Sequence, residues 1–387
     1  MRIAMIGQKG MPAVFGGVER HVHELSVRLV LRGHDVTVYC RPWYRKKKVK
    51  QIGGVRLQFL PSIHTKHFDT ISHVFLATID AMRRGFDVLH FHGVGPALLA
   101  WIPRVFSPKT TVIVTFHSID RKHEKWGWFA RLALKLGERA ACRFPHETIA
   151  VSRTIQQYCR DVYDREALFI PNGVPAYART KETGMLKKWK LKSGAYLLIV
   201  SRLIPSKGIQ YAIAAYQNLR ETQPHLVHDT PLVIVGSGFY TDRYVRGLKS
   251  MAAGDPNIVF TGFQSSDALA QLFAHARLAI HPSDIEGLSI TVLEEMSYGL
   301  PVLVSDIPEH RELVSSPRYN FAHGDSDDLA TMLAGLLGKH RAELAKQGVR
   351  NRALVRRLYD WDAIVDETAG VYEKHLSRAT SHIPQTI

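Results

Sequence analysis

Two successions of strand-length apolar runs, each run separated from the next by a helix-length segment, constrain this 387-residue chain more than any other feature. RIAMI at 2–6, DVTVYC at 35–40 and runs at 55–60, 87–91, 110–116 and 147–151 make up the first succession. YLLIV at 196–200, PLVIVG at 231–236, NIVF at 257–260, LAIH at 278–281 and PVLVS at 301–305 make up the second. Runs this apolar suit strands buried on both faces, and that burial requires helices on both sides of a parallel sheet. The periodicity over 17–32 predicts the first of those helices. Between the successions, PNGVPAYARTKETGMLKKWKLKSG is rich in turn formers and lysine and reads as an interdomain linker. The length also exceeds one comfortable core. The expected class is therefore α/β, with two doubly wound, Rossmann-like domains facing one another across a cleft. Their predicted spans are 1–175 and 195–360, joined by a linker over 176–194, with a last segment at 361–387. Open sheets of this kind bind ligands at the carboxyl ends of their strands, so the site is expected between the halves.

The balance of 45% hydrophobic and 22% charged residues belongs to a soluble globular chain. No stretch approaches the roughly 18 uninterrupted apolar residues that cross a bilayer. The opening MRIAMIG lacks the regions of a secretory signal. Cys40, Cys142 and Cys159 are an odd count without metal-ligand spacing, which fits a reducing cytoplasm.

The net charge of +16 is unevenly spread, with 27 lysines and arginines against 13 acids through residue 175 and 24 against 22 afterwards. A basic first half suits an anionic partner: a phospholipid surface, a lipid diphosphate or nucleic acid. No recognition motif or aromatic stacking run supports nucleic acid. In WGWFARLALKLGERAACRF, Trp128, Leu132 and Leu136 form one helical stripe and Arg131, Lys135 and Arg139 another. With Arg45, Lys46, Lys47 and Lys48, this segment suits anionic headgroups at the inner membrane face; a helix packed on its own sheet is the competing reading.

The most specific motif is EGLSITVLEE, where Glu286 and Glu294 bracket a glycine-containing turn into a helix starting near Ser289. The free N–H groups of a helix N-terminus accept a diphosphate, and Gly287 permits close backbone approach. Glu294, in the second turn, is placed to accept two hydrogen bonds from a ribose diol, and Glu286 to face a sugar. Glu295 reads as solvated surface. In SRLIPSKG, Arg202 and Lys207 follow a buried strand and offer two cations to the charge that builds on a departing diphosphate without a metal. GSG at 236–238 is another tight turn. GQKGMPAVFGGVER places Gly16 and Gly17 on a loop entering a helix, either to close over phosphates or as a plain connector. His117 ends TVIVTFH, where an imidazole either contacts a sugar or serves the core. Asp325, Asp327 and Asp328 have the look of a metal run, but they precede LATMLAGLL and read as the cap and first turn of a helix.

Taken together, GGVER, TFH, SRLIPSKG and EGLSITVLEE resemble family 4 of the retaining glycosyltransferases, in the family's order and near its spacing. The resemblance implies the GT-B architecture and sugar transfer from a nucleotide diphosphate donor, with neither cofactor nor metal. It implies that Gly16 and Gly17 form the mobile loop by the donor phosphates and that His117 contacts the sugar. Arg202 and Lys207 would bind the diphosphate, Glu286 the sugar and Glu294 the ribose. Backbone from Gly287 and Leu288 through Ser289 to Ile290 would meet phosphates and sugar, and Gly262 with Phe263 the base. The helix from about Trp361 would cross back onto the first domain. The departing phosphate would deprotonate the acceptor on the same face, without a protein nucleophile. The opening is further similar to a subgroup including bacterial rhamnosyltransferases of cell-surface polysaccharide assembly, whose acceptors are glycans or lipid-linked. Rhamnose usually travels on deoxythymidine, whereas a carboxylate clasping a ribose diol favours UDP or GDP. A sugar-nucleotide epimerase would share the diphosphate site and sugar-facing acids, and a basic nucleic-acid-binding protein is the remote alternative.

Overall fold

The computed structural model describes residues 1–14, 16–45, 49–65, 68–122, 127–238 and 241–381. Phe15 of the glycine loop, Lys46, Lys47 and Lys48, and the end of the chain from 382 lie outside them. The chain divides into two compact units, Met1–Gly173 with Trp361–Ile387, and Val174–Asp360.

The first unit contains strands β1 (Arg2–Ile6), β2 (Asp35–Cys40), β3 (Gln51–Ile52), β4 (Val55–Phe59), β5 (Val88–His92), β6 (Thr111–Phe116), β7 (Glu147–Ala150) and β8 (Leu168–Phe169). They lie in the order β3-β4-β2-β1-β5-β6-β7-β8. All pair in parallel except β3, which the turn at Gly53 and Gly54 folds back onto β4. The central β1 sets the register, with Ile3 opposite Val36 on one side and Val88 on the other. β5 and β6 are buried along their whole length, as expected of strands covered on both faces. Helix Gly17–Leu31 buries Val22, Leu25 and Leu29 against Ile3, Met5, Val36 and Val38. The same core takes Trp361, Ile364, Val365 and Tyr372 from the last described helix, Trp361–Ser381.

The second unit contains β9 (Leu197–Val200), β10 (Leu232–Val235), β11 (Ile258–Gly262), β12 (Leu278–His281), β13 (Val302–Ser305) and β14 (Asn320–Phe321), in the order β11-β10-β9-β12-β13-β14. Every pairing is parallel. Much of the stretch read as a linker is built into this unit. Tyr177 stacks on Tyr298 with ring centroids 4.8 Å apart, Arg179 donates to the Ala274 carbonyl at 3.0 Å, and Gly184–Trp189 forms a 3-10 helix. Asp325 caps helix Ser326–Leu337, accepting from the N–H groups of Asp327 and Asp328 at 2.9 and 3.0 Å. Among the described residues, no helix is long and apolar enough to cross a membrane.

Candidate functional site

Each unit gathers polar side chains at the carboxyl ends of its central strands. In the second unit, the loop after β9 carries Arg202 and turns through the 3-10 segment Pro205–Lys207 into helix Ile209–Thr222. Gly208 makes that turn at φ 62°, and a Cβ there would meet the Pro282 carbonyl oxygen at 1.8 Å. Only glycine lets the loop lie this close to the segment leaving β12. A backbone hydrogen bond from Asp284 N to Ser206 O, 3.0 Å, ties the same two segments.

That apposition brings Lys207 and Glu286 together. They form an ion pair through Lys207 Nζ and Glu286 Oε1, and Ser283 Oγ donates to the same oxygen at 2.9 Å. Burial alone would raise the Glu286 carboxyl, but Lys207, His310 and Ser283 outweigh it and hold the group down to about 2. The two residues assigned separately to diphosphate and sugar thus neutralise one another here. Arg202 stands exposed on the same loop.

Gly287 and Leu288 are buried ahead of helix Ile290–Ser297, with Ser289 at its N-cap. That N-terminus offers backbone N–H groups beside the ion pair. Glu294 is 4% exposed and accepts from the Tyr177 hydroxyl at 3.2 Å. Gly262 ends β11 at φ 71°, and Phe263, next along, is half exposed.

Glu295 is not solvated surface. Its side chain is fully buried and Oε2 lies 2.7 Å from His281 Nε2. Burial raises its carboxyl, and His281 opposes the rise. The sequence reading missed this because a glutamate in mid-helix has no local sign of a partner 14 residues upstream. The contact fastens helix Ile290–Ser297 to the end of β12, adding a buried link between the strand that leads to Glu286 and the helix that bears Glu294.

In the first unit, Gly16 takes φ 100° and Gly17 opens the helix to Leu31. Glu19 in its first turn is buried and accepts from the Lys9 backbone N–H and ammonium, both at 3.2 Å. His117 follows β6 and is 8% exposed. Two histidines absent from the sequence reading join it: His92 from the end of β5 and His21 from helix Gly17–Leu31. His92 Nδ1 lies 3.2 Å from His117 Nε2, and the His21 and His117 ring centroids are 4.9 Å apart. Burial pushes His21 down to about 4, offset in part by the neighbouring Asn172 side chain. Burial also drives His92 and His117 well below the ordinary imidazole range, with further lowering from the surrounding histidines. The signal available was the alternation in VLHFH, which sends His90 and His92 to one face of the strand.

Residues 15–176 match the model of Glycosyltransferase Family 4, and residues 184–351 match that of Glycosyl transferases group 1. A phosphatidyl-myo-inositol mannosyltransferase of Mycobacterium leprae is 28% identical, the match covering 96% of each chain. Among solved structures, the sucrose-phosphate synthase of Thermosynechococcus elongatus superposes with a TM-score of 0.82 at 20% identity, over 97% of this chain and 99% of that one. Anabaena HepE in complex with UDP and glucose gives 0.79 at 18%, over 97% and 100%. These likenesses establish GT-B as the fold.

Proposed function

The chain is a family 4 glycosyltransferase using a nucleotide-sugar donor, and from that premise we propose that it transfers a hexose with retention of configuration to a lipid-linked or glycan acceptor. The observation that carries this reading is the Lys207–Glu286 pair beside the N-terminus of helix Ile290–Ser297. When a diphosphate occupies that N-terminus, Lys207 and Arg202 face the charge that develops as the glycosyl bond breaks, and Glu286 turns to the sugar. Glu294 takes the ribose diol, which favours UDP or GDP as the carrier. Two cations and backbone N–H groups supply the positive field, so transfer needs no metal ion. The departing phosphate takes the acceptor proton on the same face, and His117 orients the sugar.

The acceptor's lipid character is supported by helix Trp128–Arg143. Trp128, Phe129, Leu132 and Leu136 are about half to two-thirds exposed, and Arg121, Arg131, Leu132 and Lys135 line a cavity of 380 Å³. Apolar side chains beside cations suit an anionic lipid surface, which supports a peripheral position at the inner membrane face. The mycobacterial relative is named for a lipid, phosphatidyl-myo-inositol.

Calorimetric titration with UDP, GDP and dTDP sugars, with and without EDTA, tests the donor assignment. We expect one carrier to bind whether or not EDTA is present; abolition of binding by EDTA would sink the metal-free reading. The anomeric configuration of the product, read by NMR, tests retention. Loss of sedimentation with anionic vesicles at low salt would remove the membrane assignment.

A further inference from the structure

We propose that His21, His92 and His117 form a three-imidazole site for a divalent transition-metal ion of the zinc class, and that an ion bound there withdraws His117 from the sugar donor. One ligand nitrogen from each residue lies within 4.8 Å of the other two, and among the described residues this is the one such group of histidines, cysteines and acids. The 3.2 Å between His92 Nδ1 and His117 Nε2 matches the separation of about 3.3 Å for two imidazoles sharing a tetrahedral zinc with bonds of about 2.0 Å. His21 need approach by no more than about 1.5 Å to complete the set.

A second observation points to the same ligand. His21 is 4% exposed, and neither ring nitrogen makes a well-formed hydrogen bond, the Asn172 side chain being the polar group that stands near it. A buried polar group left unpaired costs stability, which coordination would recover. Neutral nitrogen donors without a carboxylate select zinc, cobalt, nickel or copper over magnesium and calcium.

The surroundings hold the rings in place. His92 Nε2 lies 3.4 Å from Met5 Sδ, which leaves Nδ1 toward His117. His90 packs on His92 at a centroid separation of 4.1 Å and is pinned at 2.7 Å by both the Tyr372 hydroxyl and Thr115 Oγ1. His117, the most exposed of the three, gives the ion its way in. The ligands stand on one helix and at two strand ends, elements rigid enough to preserve a geometry.

The inhibitory half of this proposal rests on the sugar-orienting role given to His117, whereas binding does not. The full chain, carrying no histidine tag, is titrated with Co(II) while visible absorption is followed, and the ion is then displaced with Zn(II). We expect one ion per chain, bands of a four-coordinate site and bleaching by zinc. Loss of a partner outside the ligand set already costs 10–100-fold in metal affinity, so His21→Gln and His92→Gln should each weaken binding at least about 100-fold. A wild-type chain that develops no band overturns the site whatever the variants do, and variants that bind as tightly as wild type place the ion elsewhere. In a transfer assay, zinc should inhibit and a chelator should restore activity. Undiminished transfer by a chain whose site is demonstrably filled would leave the metal site standing and overturn the role of His117.

Discussion

At the ends of β5 and β6 the first unit places imidazoles that burial holds in the neutral form, whereas at the ends of β9 and β12 the second unit places an ion pair, Lys207 with Glu286. Both sets stand at the carboxyl edge of a parallel sheet and both are largely withdrawn from water. They differ in what satisfies them. The carboxylate at 286 has a cation and a hydroxyl within reach, while His21 makes no well-formed hydrogen bond and has only the Asn172 side chain near it. The same fold edge thus supports two chemistries, one suited to opposing the charge of a diphosphate and one suited to neutral contacts or to donating lone pairs.

The largest effect expected on the charged side comes from its support. Glu295→Ala strips His281 of its buried partner and should lower the stability of the second unit by about 3 kcal/mol, measured as a shift in urea midpoint. Glu295→Gln keeps a hydrogen-bonding group and should cost much less; equal losses from the two would show that the contact itself contributes nothing.

On the neutral side the comparison is sharpened by acid. The folded pKa of His21, about 4, lies below its ordinary 6.5, so the folded state resists protonation. Stability from this group is complete above about pH 6.5 and is lost as pH falls toward 4, amounting to roughly 3 kcal/mol by the lower limit. Protection factors of the β5 and β6 amides, corrected for the slower intrinsic exchange in acid, should fall across that window, and factors unchanged from pH 7 to 4.5 would end the argument. Glu286 behaves in the same sense at lower pH, contributing stability above its ordinary 4.5 that disappears toward 2.

Lys207→Ala removes the cation facing the expected leaving group, and turnover should fall about 10²-fold or more with correctly folded protein, as for comparable donors to developing charge. Rates near wild type would transfer that task to Arg202 and the helix N-terminus. The smallest effect is a control on both sites: Asp325→Ala deletes an N-cap and should cost about 1 kcal/mol in thermal stability without altering donor affinity.

The long strands were legible because apolar runs such as TVIVTF admit few alternatives to burial on both faces of a sheet. The two-residue strands β3, β8 and β14 have no periodicity to read, and pairing alone creates them. The 3-10 helix Gly184–Trp189 was hidden for a related reason, since lysines and turn formers conceal a segment that buries little beyond Leu186. Site residues followed the same division. Lys207 and Glu286 announced themselves by their place after strands, but their mutual pairing depends on β9 and β12 being neighbours in the sheet. His21 and His92 passed unremarked because their meeting depends on the order β1-β5-β6 and on the helix that covers it.

Gly173 lies against the Trp361 indole, so the chain leaves the first unit beside the point where it returns. The whole second unit is spliced into that junction, and the core waiting for it includes Ile364, Val365 and Tyr372. During synthesis, therefore, residues 174–360 emerge complete while the earlier unit still lacks its last helix. The later-encoded half can fold first, and the histidines of the earlier half acquire Trp361 and the Tyr372 hydroxyl only after the whole second unit has been made.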